Sequence, residues 1–104
     1  FNQGPKVMHL LIRYIAERKV QRDRWVDAMQ RTEVPMRVID GAVDPVSGAH
    51  MVARYRELIP QADTVLLDNI GHYPQVEAPD QVLEHYLDFR SVCASSEHSL
   101  AVKC

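Results

Sequence analysis

The spacing of apolar residues alternates along the chain between a helical period and short continuous runs. Apolar side chains three and four positions apart are typical of one face of a helix, and short β-branched runs bounded by turn residues are typical of strands. The sequence therefore predicts a succession of helix, helix, strand, helix, strand and helix. The predicted helices cover residues 5–18, 20–31, 49–59 and 79–90, and the predicted strands cover residues 34–40 and 63–68.

Residue types at the ends of these segments support the predicted boundaries. Arg18 and Lys19 are cations of the kind that favour a helix C-terminus, so we expect the first helix to end there. Ser47 is predicted to cap the N-terminus of the helix between the strands. Pro60 is predicted to end that helix. In the second helix, we expect Trp25 and the other apolar residues to be buried.

The helix between the two strands predicts an α/β fold, in which parallel strands are joined by crossover helices. The apolar run 65–67 indicates burial on both faces, as in a parallel sheet. A pair of parallel strands alone buries little surface and leaves open edges. We therefore expect an incomplete sheet, which either a second copy of the chain in a homodimer or the missing N-terminal part of a longer protein would cover.

We divide the chain into three segments at changes in its pattern. Residues 1–31 are helical and lead into a core, and residues 32–90 supply the strand–helix–strand–helix unit. Residues 91–104 form a tail, mostly small and polar, that lacks clear periodicity and is expected to be flexible. The chain starts at Phe1 rather than Met, which we expect of a portion of a longer protein.

Composition excludes several kinds of partner. The 104 residues are 46% hydrophobic and 25% charged, as in a globular protein, and the formal net charge of −2 offers no basic surface for nucleic acid. No apolar run approaches the ~18 residues that span a bilayer, and no secretory signal pattern is present. We expect a cytoplasmic location, no nucleic acid partner and no membrane span. Cys93 and Cys104 lack a metal-like spacing, and we expect tail thiols, with a disulfide or an intermolecular bridge as alternatives.

Asp44 and His72 follow the two predicted strands at corresponding positions. In parallel α/β sheets, ligands bind outside the carboxyl ends of the strands, and neighbouring strands lie about 4.8 Å apart. If the strands are neighbours, the carboxylate and the imidazole can meet within hydrogen-bond distance. Such a pair serves as orienting acid and general base, because the carboxylate fixes the tautomer of the imidazole and stabilises the imidazolium. The alternatives are a turn residue before Pro45 and a loop histidine bonded to backbone.

The region 33–90 resembles the C-terminal part of the α/β-hydrolase fold. In that family the penultimate strand ends in Gly-x-x-Asp, here residues 41–44. A helix and the last strand follow, and then a Gly-His loop, here residues 71–72, with a Glu and a Pro behind it at Glu77 and Pro79. The finer pattern is similar to the branch that contains epoxide hydrolases, haloalkane dehalogenases and the mesoderm-specific transcript protein. The resemblance implies that residues 1–31 are the end of the cap and the helix that leads into the core.

The resemblance also implies roles for single residues. Asp44 corresponds to the acid of a catalytic triad, and His72 corresponds to its general base. Tyr73 and Val46 are candidates for substrate binding, although either could serve packing instead. Glu77 is expected to accept hydrogen bonds from nearby backbone N–H groups. No cofactor and no metal are implied.

The nucleophile is expected upstream of this chain, because the family order is nucleophile, acid, histidine. A serine there would imply a small ester as the substrate, whereas an aspartate would imply an epoxide or a carbon–halogen bond. Ser47 lacks the strand–turn–helix context of a nucleophile elbow. We therefore predict that the isolated chain is inactive and that its parent is a hydrolase of a small molecule. The alternative is a non-catalytic α/β-hydrolase-like scaffold or truncated interaction module, which would bind through the sheet edge and the arginine-bearing second helix.

Overall fold

The computed structural model describes residues 4–101, with the side chains of residues 5, 11 and 96–101 left aside. The chain divides into two units, one up to Thr32 and one from Glu33 onward. The elements are α1 (Gly4–Leu11), α2 (Tyr14–Arg31), β1 (Arg37–Gly41), α3 (Ala49–Leu58), β2 (Asp63–Leu67), α4 (Pro74–Glu77) and α5 (Pro79–Ala101).

The first unit consists of two helices whose division differs from the predicted one. The break lies at residues 12–13, and α2 continues through Lys19, where the first helix was predicted to end. Lys19 is a good helix former with no glycine or proline beside it, so its charge alone does not stop the helix. The expected burial of Trp25 is also wrong, since this residue is 44% exposed and α2 has no buried residue.

The second unit is built on a parallel pair of strands, as predicted. Strand β1 pairs with β2 in a register that places Arg37 beside Asp63 and Gly41 beside Leu67. The strand begins later than predicted, at residue 37, because Pro35 has no N–H to donate to a ladder. The structure therefore confirms a mixed α/β arrangement with a small parallel sheet. Burial of the run 65–67 is less than expected, because only Leu67 is buried.

The helices before and after the second strand differ from the predicted ones in their caps, number and length. Helix α3 has its N-cap at Gly48, without a side-chain hydrogen bond, so the predicted cap at Ser47 is wrong. A short helix, α4, occupies part of the segment that we expected to be a loop, with Pro74 in its first turn. Helix α5 continues beyond its predicted end at residue 90 as far as Ala101, so the described part of the tail is helical. Flexibility of the tail stays a prediction.

The buried core of the second unit is small. Its apolar members are Val52 of α3, Ile59 at the end of that helix, Leu67 of β2 and Ala78 between α4 and α5. Two of the four belong to α3 or its C-terminal end, so burial in this unit centres on that helix and on the end of β2. Free Cys93 is half-buried on α5, and Cys104 lies outside the described residues. Along residues 4–101, no helix combines the length and the apolarity that crossing a membrane requires.

Arg37 ties the beginnings of both strands to α5. Its Nε donates to Asp63 at 2.7 Å, and its Nη1 donates to Asp88 at 2.6 Å and to the carbonyl oxygen of His85 at 2.9 Å. The guanidinium also lies 5.5 Å from the ring centroid of Phe89. Hydrogen bonds from Arg37 to Asp88 and then to Asp63 raise the pKa of the guanidinium. This arginine fixes the end of the sheet opposite to the carboxyl edge.

Gly41 lets the loop after β2 reach the end of β1. A β-carbon at this position would lie 2.1 Å from the carbonyl oxygen of Gly71 and 2.4 Å from that of Ile70. Both are backbone atoms, so the clash could not be relieved by rotating a side chain. The N–H of Val43 donates to the same Ile70 carbonyl at 3.1 Å. The absence of a side chain at residue 41 therefore brings the two loops into contact.

We predict that Gly41→Ala lowers the free energy of unfolding by about 2 kcal/mol, because the added methyl group must push the two loops apart. Gly4→Ala is the matched control, since a β-carbon there has nothing within 4 Å. Urea denaturation followed by circular dichroism measures both variants. Equal stabilities of Gly41→Ala and the wild type would contradict the close approach.

Candidate active site

Asp44 is a buried carboxylate that three donors surround. The side chain is 1% exposed. Its Oδ1 accepts the N–H of Val46 at 2.8 Å, and its Oδ2 accepts the hydroxyl of Ser47 at 2.6 Å. The Nδ1 of His72 lies 2.8 Å from the same Oδ2. A buried charge requires such partners, because burial without them would favour the neutral acid.

These bonds hold the pKa of Asp44 far below its ordinary value. The hydroxyl of Ser47 contributes most, and His72 and the N–H of Val46 lower the pKa further. Desolvation by burial acts in the opposite direction and is outweighed. The carboxylate is therefore ionised at neutral pH and acts only as an acceptor.

His72 meets Asp44 as the parallel strands require, so the predicted contact is present. Because an ionised carboxylate can only accept, Nδ1 of His72 carries the proton, and the lone pair of the neutral imidazole lies on Nε2. The side chain of His72 is 48% exposed, in contrast to its buried partner. The imidazole is thus anchored on one side and open on the other, which is the arrangement of an oriented proton acceptor.

Glu77 accepts hydrogen bonds from the backbone on both sides of His72, as expected. Its Oε2 accepts the N–H of Gly71 at 2.8 Å, and its Oε1 accepts the N–H of Tyr73 at 3.1 Å. The two N–H groups belong to the residues on either side of His72. The turn that leads to the histidine includes Asn69, which has a left-handed backbone with φ of 58° that asparagine tolerates. Helix α4 thereby sets the position of the histidine through its last residue.

The two residues predicted to bind substrate lie on the two different loops and have different surroundings. Tyr73 lies beside His72, with ring centroids 4.9 Å apart at an interplanar angle of 80°, and it is 57% exposed. Val46 contributes its backbone N–H to the acid, but its side chain is 71% exposed and lines an open groove along α3 with Met51 and Tyr55. Tyr73 is therefore placed next to the imidazole, whereas the Val46 side chain is placed against α3.

Ser47 is the residue that sequence reasoning missed. Its hydroxyl was assigned to a helix cap, and instead it donates to Asp44. The spacing Asp-x-x-Ser in a loop before a helix is a detectable signal, because short polar side chains commonly bond to each other or to backbone over such intervals. Among the side chains that the structure describes, no group of three or more from His, Cys, Asp or Glu converges as a metal site would need.

The fold and this site define a mixed α/β chain that carries a buried carboxylate and an exposed imidazole at the carboxyl edge of a parallel sheet. Comparison with known proteins finds several named proteins to which the chain is similar. The chain is 40% identical over 84 residues to LipZ of Mycobacterium tuberculosis, a protein named as a hydrolase, covering 81% of this chain and 29% of that one. It is 37% identical over 90 residues to the mesoderm-specific transcript protein of Mus musculus, covering 85% and 27%.

A shorter match links the chain to a lipase. It is 33% identical over 60 residues to Lipase 1 of Psychrobacter immobilis, covering 58% of this chain and 19% of the lipase. No family model matches the chain, and no solved structure matches it. The chain spans 29% of the length of LipZ and less of the others. The chain is thus similar to parts of proteins that are named as a hydrolase, a mesoderm-specific transcript protein and a lipase.

We predict that Asp44→Asn flattens the dependence of stability on acid pH. The pKa of Asp44 is lower in the folded chain than in the unfolded chain, so the ionised group stabilises the fold above its ordinary pKa. That contribution is lost as the pH falls toward the lower, folded-state pKa. Urea midpoints at about pH 6 and about pH 3 should therefore differ less in Asp44→Asn than in the wild type.

Asp68→Asn is the control for this experiment, since Asp68 is an exposed carboxylate directly after β2. Its acid dependence should match that of the wild type. Parallel curves for Asp44→Asn and the wild type would show that the contacts of Asp44 do not stabilise its charge.

We predict that Glu77→Gln loosens the backbone around the histidine. A glutamine has one acceptor oxygen, so one of the two N–H groups loses its partner, at a cost of about 1 kcal/mol. Hydrogen exchange measured by NMR should be about fivefold faster at Gly71 or Tyr73. Glu84→Gln, an exposed change on α5, should leave both rates unaltered. Wild-type exchange rates in Glu77→Gln would show that the two hydrogen bonds of Glu77 do not stabilise this backbone.

Proposed function

We propose that the chain is the C-terminal part of an α/β-hydrolase, in which Asp44 is the triad acid and His72 is the general base. The observation that carries this proposal is the 2.8 Å contact between Asp44 Oδ2 and His72 Nδ1. A buried, ionised acid holds an exposed imidazole in the tautomer whose Nε2 can take a proton. Relatives named as hydrolase and lipase support the same function.

In this function Nε2 of His72 takes the proton of the nucleophile or of the attacking water. The imidazolium that forms is stabilised by Asp44, whose depressed pKa keeps it from accepting that proton. The imidazolium then returns the proton to the leaving group. Both carbon–oxygen bond cleavage in an ester and hydrolysis of a covalent intermediate use this cycle.

The nucleophile lies in the upstream part of the parent protein. The lipase relatives favour a serine and a small carboxylic ester as the substrate class. An aspartate nucleophile would instead direct the same His72 to the water that hydrolyses an alkyl-enzyme ester, as for an epoxide. Tyr73, which lies beside the imidazole, is the side chain of this chain that is best placed to contact the substrate.

We further propose that the rest of the parent covers the open sheet. Residues 1–31 would be the end of its cap and the helix that leads into the core. Buried Asp40, the last but one residue of β1, has an Oδ2 that finds no partner among the described residues. Buried oxygens normally have a donor, so a group from the upstream part or from a second copy would supply it.

We predict that the parent protein hydrolyses a short-chain p-nitrophenyl ester and that His72→Ala lowers kcat about 10³-fold or more, because the general base is lost. Asp44→Asn should lower kcat by up to about 10⁴-fold, since the imidazole then has no anion to orient it. His50→Ala is the matched control, because His50 on α3 contacts only the carbonyl of Val46 among the bonds described and should leave kcat unchanged. An aryl epoxide assayed in parallel distinguishes the two nucleophiles.

A parent that turns over neither substrate would favour the non-catalytic scaffold, and a parent whose His72→Ala variant keeps wild-type kcat would overturn the triad assignment. The isolated 104-residue chain should show no turnover that His72→Ala removes, because it supplies only the acid and the base. Turnover of that kind in the isolated chain would place the nucleophile within it.

A further inference from the structure

Two donors share one oxygen of the buried carboxylate. The hydroxyl of Ser47 and Nδ1 of His72 both point to Oδ2 of Asp44, at 2.6 and 2.8 Å, while Oδ1 holds the N–H of Val46 at 2.8 Å. The serine bond has the length of a strong, charge-assisted O–H···O⁻ bond. Ser47 is half-buried and donates nowhere else among the bonds described. The N–H of Val46 already holds the carboxylate in place, and the carboxylate already orients His72 through Nδ1. The hydroxyl of Ser47 therefore requires a separate explanation.

We propose that Ser47 is a positioning residue of the pair, whose hydroxyl takes up part of the negative charge at Oδ2 and thereby limits how strongly Asp44 holds a proton on His72. The reason is electrostatic. Each hydrogen bond to the ionised form of a carboxylate stabilises that form by drawing on its charge, and less of the charge is then left for a second donor on the same oxygen. His72 thus returns its proton more readily than it would from a carboxylate bonded to it alone.

The catalytic consequence of this effect rests on the proposed function, whereas the effect of Ser47 on the protonation of His72 does not. A general base must both accept a proton and give it back, so an acid that binds the imidazolium too tightly slows the second step. Ser47 acts on His72 only through Asp44, since no bond joins the serine to the imidazole among the described contacts. It does not touch the proton acceptor itself.

The other groups around His72 are not bonded to the hydroxyl of Ser47. The Tyr73 ring packs against the imidazole, and Glu77 is bonded to the backbone on both sides of it. His50 lies on the neighbouring helix and bonds to the carbonyl of Val46. None of the three is bonded to the hydroxyl of Ser47, so a change in the protonation of His72 reports on the shared oxygen.

The experiment is an NMR titration of the imidazole nitrogens of His72 in the 104-residue chain, with the His72→Ala spectrum assigning the signals. In Ser47→Ala, His72 should stay protonated to higher pH, with its midpoint raised by about half a pH unit. Ser47→Thr keeps a hydroxyl and should match the wild type. Ser47→Cys offers a weaker donor and should fall between Ser47→Ala and the wild type.

Ser91→Ala is the matched control, because its hydroxyl bonds to a carbonyl within α5, and it should leave the midpoint in place. If Ser47→Ala loses the wild-type amide spectrum, the direction of the change in Ser47→Cys decides. An unchanged midpoint would mean that the serine only stabilises its turn, and a lower midpoint would mean that it is needed to orient the acid, so either result overturns the proposal. Because no turnover is measured, the titration can fail while the hydrolase proposal stands.

Discussion

The contact between the loop after β2 and the end of β1 is the constraint on which the site depends. Gly41 has no side chain, so the carbonyl groups of Ile70 and Gly71 can occupy the space that a β-carbon would fill. Val43 then bonds to Ile70, which continues the strand pairing into the two loops. This backbone contact, together with the parallel pairing of the strands, brings the loops that carry the buried acid and the imidazole close together.

Polar contacts rather than apolar packing hold the site together. The apolar core of the second unit is small, and the carboxylates of Asp44 and Glu77 organise the two loops by accepting bonds from backbone N–H and hydroxyl groups. Around buried Asp44, such a polar network specifies a single geometry when every member is satisfied, and it is costly when one member is removed. Orientation of His72 therefore depends on both carboxylates, one through its ring and one through its backbone.

The division between a buried acid and an exposed base has a chemical consequence. The side chain of Asp44 is 1% exposed and that of His72 is 48% exposed. The negative charge of the carboxylate is therefore buried, while the imidazole can exchange a proton at the surface. The relatives named as hydrolases and lipases contain far more sequence than this chain covers. In the function that we propose, this part of the sequence supplies the acid and the base that handle protons, and the upstream part supplies the nucleophile.

The sequence by itself determined the strand–helix–strand order of the second unit and its last helix, the parallel pairing and the contact of Asp44 with His72. These follow from local apolar runs, proline and glycine positions, and the rule that parallel strands end at one edge. Only the tertiary structure decided the partner of Ser47, because a hydroxyl before a helix can cap that helix or bond a side chain, and burial of Asp44 made the second choice stronger. It also decided the break in the first unit and the length of α5, since no proline or glycine in the sequence marks where either helix ends.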